Sequence, residues 1–438
     1  MSRLTCALII VSFASIGCGV AVRQVDHGIH AIAASHDGRT GALTRREQAW
    51  AATAWHYFDA NLQPGSGLVN MIDARSSLTM WLVADYIAAL TAAREMKLVT
   101  PQQFDERFRR VLHFLNLMPL LNEGLPNRSY DPSNWQMTDN FGKPGVSGWS
   151  ALDVGRLLVW LRIARDRYPT YAEYIDRAVL RWNFCPMLER KGALRLEGRL
   201  GYQQYAALGF ELWGLDTTKA LQIDPVERVN VLGVPILVDA RAAHQPGKLA
   251  CVETLPYALL GIEFGSDARW TGLADAIYHA QERRFAQQRV LTARTDHPTI
   301  EPPYFVHDTV FAAGYPFNTI DDSGGFHPEQ SLVSTRAAFG MWALWDTSYT
   351  TRLMDGIEPL QRQDRGWLEG RYEQTGGAEE LITATTNAVV LEALLYKTTG
   401  ALFIRRPKSG YFELTVGNEF TRPAAQCLPA IGPAGGAR

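Results

Sequence analysis

Residues 76–93, SSLTMWLVADYIAALTAA, decide how this chain folds. Wound at 3.6 residues per turn, the segment is apolar on almost every side and rich in Ala and Leu, with Asp85 as its one charge. A helix that is apolar all round belongs inside protein, and small side chains let neighbouring helices approach closely. Five further segments read the same way: GWSALDVGRLLVWLRIA (148–164), GYQQYAALGFELWG (201–214), VETLPYALLGIEF (252–264), SLVSTRAAFGMWALW (331–345) and TATTNAVVLEALLYK (383–397). Between them lie segments with one apolar stripe and many charges. TRREQAWAATAWHYF, QQFDERFRRVLHFLNL, YAEYIDRAVLRWNF and ARWTGLADAIYHAQERRF are clear; YTTRLMDGIEPLQ and the shorter DTTKALQID complete the set. Six buried helices alternating with about six amphipathic ones predict an all-α fold, an (α/α)6 toroid. Long loops and short β-pairs around VNVLGVPILVD and RVLTAR would decorate it. A superhelical array is the alternative, but no internal repeat supports it.

The bulk numbers limit the function. The 438 residues are 47% hydrophobic with a formal net charge of −2, so a large core is available and no basic footprint for nucleic acid exists. The first 18 residues, MSRLTCALIIVSFASIGC, have the layout of a secretory signal peptide, with Arg3 ahead of a short apolar run. Ser15-Ile16-Gly17-Cys18 resembles a lipobox, although Leu is usual where Ser15 stands. A periplasmic protein attached to the membrane through lipidated Cys18 is therefore expected. Residues 19–43 read as a tether, 44–421 as the toroid domain and 422–438 as a flexible tail. Of the five cysteines, Cys185, Cys251 and Cys427 would remain in the mature chain, with no spacing for a metal site and no disulfide expected.

In a toroid of parallel inner helices, the loops entering those helices surround one funnel, where helix N-termini add partial positive charge. Each of the six entrances carries carboxylates or flat aromatics. The first offers Asp73, which also reads as a helix cap. The second offers Asn127, Tyr130, Trp135, Trp149, Asp153 and Arg156, the last two also readable as an ion pair. The third holds Glu197 and Tyr202, and the fourth Glu253, which also reads as a helix-dipole partner. The fifth carries Tyr304, His307, Asp308, Asp321, Asp322 and His327, without compact metal-ligand spacing. The sixth, GWLEGRYEQTGG (366–377), brings Trp367, Glu369, Tyr372 and Glu373.

Glycoside hydrolysis needs a carboxylic acid to protonate the leaving oxygen and a carboxylate to activate water or attack the sugar. Glu373, Asp153 and Glu197 are the leading candidates, with Asp73, Asp308 and Asp322 behind them. Glu369 would raise the pKa of Glu373 if both face inward. Trp135, Trp149, Trp367, Tyr202 and Tyr372 would stack on sugar; Asn127, Tyr130, Arg156, Glu369 and His307 would bind its hydroxyls. No cofactor or metal is called for, and opposite walls of a funnel favour an inverting arrangement.

The runs TMWLVADYIAALTAAREMKLV, LPNRSYD, GWSALDVGRLLVWL, GRLGYQQYAALGFELWG, PYFVHDTVFAAG, STRAAFGMWAL and GWLEGRYEQTG with TNAVVLEALLYK resemble the bacterial family catalogued as domain of unknown function 3131. The resemblance spans about 45–400 and implies an exported, envelope-associated protein with a glycosidase-like toroid. In the family's pattern the tryptophan matching Trp81 is followed by Asp and, two further on, by Gly; Leu82 and Ala84 stand here, while Asp85 persists. GWLEGRYE is also similar to a segment of glucoamylase-like proteins that cleave β-1,2-glucans.

Three readings stay open on sequence. One is a hydrolase of an envelope or exported polysaccharide. The second is a non-catalytic glycan-binding or assembly factor, kept alive by Leu82. The third is a polysaccharide lyase, with Tyr202 or Tyr304 as base and Asn127 or His307 neutralising a uronate.

Overall fold

The computed structural model describes residues 38–140, 142–188, 200–222, 226–240 and 250–404. The calls for 1–18, for most of 19–43 and for 422–438 lie outside the described residues, as do Glu197 and Cys427. Helices follow in the order α1 (Arg45–Ala60), α2 (Met80–Glu95), α3 (Pro101–Leu117), α4 (Ala151–Arg167), α5 (Ala172–Leu180) and α6 (Tyr202–Glu211). Then come α7 (Thr218–Leu221), α8 (Leu255–Leu259), α9 (Thr271–Gln288), α10 (Thr335–Leu344), α11 (Ser348–Ile357) and α12 (Ala384–Thr399). A π-helical turn, Leu260–Phe264, prolongs α8.

The even-numbered helices are the six apolar segments. Their starts follow from capping: Thr79, Ser150, Ser334 and Thr383 each accept a backbone N–H from the first turn of α2, α4, α10 and α12. Helix α2 buries every residue from Leu82 to Ala93, as an all-round apolar helix must. It packs on α4, α4 on α6, α6 on α8, α8 on α10 and α10 on α12, which returns to α2. Glycines permit the tightest of these approaches: a Cβ on Gly209 of α6 would sit 2.0 Å from the carbonyl oxygen of Gly155 in α4. The odd-numbered helices lie outside, each against an inner neighbour. Helix α3 turns Phe104, Phe108, Val111, Leu112, Phe114 and Leu115 inward and its charges outward.

Segments that lead into the inner helices pair with one another, which places them on one face. Leu78 pairs with Tyr130, Ile72 with Thr383, Val252 with Phe311, and Leu332–Ser334 with Gly370–Tyr372. The sequence reading is corrected here in one respect. GWLEGRYEQTGG is not a loop: Gly366–Tyr372 is a strand, paired with Leu332–Ser334, Gln361–Arg362 and Ala378–Ile382. The expected hairpin at VNVLGVPILVD is present, as Val226–Val231 against Val234–Asp239. RVLTAR contributes one bridge, Ala293 to Val333. Residues read as the end of a tether are bound from Arg39 on, since the Arg39 and Gly41 N–H groups donate to Ala343 and Lys397. Cys185 is disulfide-bonded, against the expectation of no bridge.

Candidate active site

The site is built outward from α2. Its first-turn Trp81 is half-buried, with the ring centroid 5.8 Å from that of Tyr202, at the start of α6. The Tyr202 hydroxyl donates to Asp296 Oδ1 at 2.8 Å. Asp153, in the first turn of α4, takes a hydrogen bond from the backbone of Trp81 and lies 3.4 Å from the exposed Arg128. Asp153 thus meets the backbone of Trp81 and Asp296 the hydroxyl of Tyr202, although 143 residues separate the two acids in the chain (296 minus 153).

Their environments push them in opposite directions. Burial raises the Asp153 pKa, against the lowering pull of Arg128 and its Ser150 hydrogen bond. Burial also works to raise Asp296, but Arg336, His307 and hydrogen bonds from Tyr202 and Thr295 outweigh it and hold the group low. Divergence of this kind is how one site keeps a proton donor and an ionised base together. Behind Asp296, Arg336 bonds its backbone carbonyl and lies 3.5 Å from Oδ1 and 3.8 Å from Glu369 Oε2. Glu369 is fully buried, raised by that burial, and bonded through Oε1 to the Thr383 hydroxyl. Arg336 Nε and Glu369 Oε2 make no hydrogen bond to any described residue. Unsatisfied buried polar atoms are uncommon, and these two sit beside the carboxylate best suited to chemistry.

Beneath Trp81 is a sealed charge cluster. The Arg156 guanidinium, 4.9 Å from the Trp81 ring, bonds Asp85, Glu263, Glu392 and the Tyr205 hydroxyl at 2.7–3.0 Å. All three carboxylates are fully buried. Burial raises Glu263 and Glu392, as expected where three acids share one cation. The π-helical turn supplies Glu263. This cluster ties α2, α4, α6, the turn after α8, and α12 together, so Arg156 is an organiser of the ring rather than a ligand for sugar hydroxyls. Its partner is not Asp153, against the ion-pair alternative.

Several further expectations are corrected. Glu373 lies between Arg284 and Arg294, with four N–O contacts of 2.6–3.1 Å, and its side chain is 4% exposed; it is a buried ion-pair member, apart from Glu369. Asp308 joins the same network through Arg294, Thr319 and the Leu332 N–H, and burial pushes it up to about 7. Asp73 pairs with Arg365 and Asn61 rather than capping α2. Trp367 is buried among Trp50 and Phe339, a core position and not a platform. Trp135 packs on His113 and Phe114, on the outer helix α3. Asn127 and Tyr130 are buried and brace the second entrance through Ser129, Thr138, Ser147 and Pro119. The Tyr372 hydroxyl donates to Glu379, and Trp149 is half-buried against the core. Asp322 is exposed and holds one nitrogen of His307, whose other nitrogen faces Glu253. Tyr202 is a poor base for a lyase, because burial raises it and its proton is committed to Asp296.

Sequence reasoning missed Trp81, Asp296 and Arg336. A cation in the first turn of α10 was the available signal for Arg336, since a helix N-terminus disfavours positive charge unless carboxylates answer it. Asp296 sits in TARTDHP, just ahead of the stretch read as the fifth entrance.

Solved structures of similar fold include endo-β-1,2-glucanases. A glucoamylase-like protein from Bacteroides caccae shares 11% identity at a TM-score of 0.63, over 82% of this chain and 94% of its own. The endo-β-1,2-glucanase of Chitinophaga pinensis, solved with sophorotriose and glucose, gives 12%, 0.61, 82% and 94%. That of Talaromyces funiculosus, solved with β-1,2-glucan, gives 14%, 0.52, 87% and 86%. At such identities the likeness is one of fold. Among curated proteins none matches the sequence. The profile of the family described as "Protein of unknown function (DUF3131)" matches residues 49–400. The chain belongs to the DUF3131 family.

Proposed function

We propose that this chain is a glycoside hydrolase of an envelope or exported polysaccharide, built as an (α/α)6 toroid. The observation that carries the reading is the pair Asp153 and Asp296, one bonded by the Trp81 backbone and the other by the Tyr202 hydroxyl, with pKa values pushed in opposite directions. Asp153, whose pKa burial raises, is the group to donate a proton to the leaving oxygen. Asp296, kept ionised by Arg336 and Tyr202, takes the proton of the attacking water. Trp81 offers a flat face to a sugar ring, whose C–H-rich side suits an aromatic surface. Inversion requires room for that water between the carboxyl groups, roughly 6.5–9.5 Å. The ring order of the inner helices supports the toroid, and the fold likeness to glucan-cleaving enzymes supports the substrate class.

The test is incubation of the purified protein with a panel of bacterial polysaccharides that includes β-1,2-glucan, reading product size and anomeric configuration by NMR. Chain shortening that disappears in Asp153→Asn and Asp296→Asn supports the reading. Shortening that survives both substitutions sinks it. A second reading is glycan binding without turnover, favoured by buried Leu82 where the family's pattern has Asp; tight binding with no shortening would select it.

Export to the periplasm and lipidation at Cys18 are part of the proposal and rest on the leader-like first 18 residues. No helix among the described residues is long and apolar enough to cross a membrane. In an expressing bacterium, Cys18→Ser should move the protein from the membrane to the soluble fraction. An unchanged distribution removes the anchor.

A further inference from the structure

A second cluster, of different chemistry, lies where the fourth entrance meets the fifth. Val252 is bridged to Phe311, with N–H···O contacts of 2.9 and 2.8 Å on its two sides, and the segment there is extended. In extended chain, residues two apart share a side, so Cys251 and Glu253 project together. His307 arrives from the strand Phe305–Asp308, where it pairs with Ile320. The Cys251 sulfur, a Glu253 carboxylate oxygen and a His307 ring nitrogen all lie within 4.8 Å of one another, and all three residues are buried.

We propose that Cys251, Glu253 and His307 bind one divalent transition-metal ion of the zinc class. The donors are one thiol, one imidazole and one carboxylate, the set that suits zinc and disfavours calcium and magnesium. His307 Nδ1 is 3.0 Å from Glu253 Oε1. Two ligands of a tetrahedral zinc, with bonds of roughly 2.0–2.1 Å, stand about 3.3 Å apart, so little movement separates this arrangement from coordination. The far nitrogen of His307 lies 2.9 Å from Asp322 Oδ1. A metal-bound histidine ordinarily holds a carboxylate or carbonyl in that manner, which orients the ring and strengthens its donor nitrogen. Burial of Cys251 against Ala312 and Ile320 is compatible with a purely packing role, but packing alone does not bring a carboxylate and an imidazole to the sulfur. Three protein donors leave a fourth position for water. The ion would clamp the segment entering α8 to the strand that carries His307. The inference does not require the glycosidase reading, although His307 also helps to hold Asp296 low.

The test uses the full chain and the metal alone. After exposure to zinc chloride and gel filtration, elemental analysis should give about one zinc per chain, with a raised thermal midpoint. After chelation and cobalt(II) addition, a thiolate-to-cobalt charge-transfer band should appear in the near ultraviolet. Cys251→Ser should abolish that band. His307→Gln, which keeps every cysteine, should weaken zinc binding at least tenfold, and Asp322→Asn by about 10–100-fold. Circular dichroism would verify that each variant is folded; if Cys251→Ser is not, His307→Gln decides. Zinc well below one per chain with no cobalt band overturns the proposal, and so does binding unchanged in the folded variants.

Discussion

Two carboxylate clusters on the same face of this molecule invite comparison. Around Arg294, the acids Asp308 and Glu373 meet the cations Arg284 and Arg294, and both oxygens of each carboxylate are bonded. Around Tyr202, Asp296 and Glu369 lie 3.5 and 3.8 Å from the Arg336 side chain, and Asp153 lies 3.4 Å from the exposed Arg128. The first cluster is complete. The second leaves buried donor and acceptor atoms without partners among the described residues, and a half-buried tryptophan beside them. Density of acids does not mark a reactive site. Incomplete neutralisation next to a half-buried aromatic surface is what makes the second cluster the candidate, because there a ligand can supply what the protein lacks.

Substitutions can break or sharpen this contrast. The largest expected effect is at the reactive cluster: Asp153→Asn or Asp296→Asn should lower kcat by about 10²–10⁴-fold with little change in the unfolding midpoint, measured on whichever polysaccharide of the panel is cut. Arg294→Ala should do the reverse. It leaves Asp308 and Glu373 buried with too little positive charge, at a cost of about 3–5 kcal/mol in denaturant unfolding, while activity per folded molecule is kept. Loss of turnover in the folded variant would merge the two clusters into one site.

A smaller effect should appear with pH. His297, next in the chain to Asp296, is fully buried between the Thr295 and Gln330 carbonyls, and burial pushes its pKa down to about 4 from 6.5. The unfolded chain therefore takes up this proton before the folded one as pH falls. Stability intact above about pH 6.5 should decline toward pH 4, by up to about 3 kcal/mol from this residue. His297→Gln should flatten that part of the curve; an equally steep curve would place the acid sensitivity elsewhere. Least in size, Trp81→Ala should raise KM about tenfold through lost stacking, with a smaller change in kcat. A fall in kcat alone would assign Trp81 to shaping the Arg156 cluster beneath it.

The fold was the more legible part. Apolar periodicity in six segments, each beside a capping Ser, Thr or Gly, located the inner helices to within a few residues. The strand Gly366–Tyr372 escaped because its glycines and charges read as a loop, although Gln361–Arg362 and Ala378–Ile382 are local partners and only Leu332–Ser334 comes from farther along the chain. The candidate site was legible in part. Asp153 and Tyr202 were named from their place at the entrances, and they do meet at Trp81. Glu373 and Trp367 carry the same residue types in the same kind of segment, yet one is neutralised by arginines 79 and 89 residues away and the other faces the core.

The chain by itself therefore determined which segments are helical and which of them are buried, because those properties follow from local periodicity and from the free energy of burying apolar surface. Only the tertiary structure decided which acids are answered by cations and which are not. Ionisation depends on burial and on charges that arrive from remote parts of the chain, and neither is written in the residues next door.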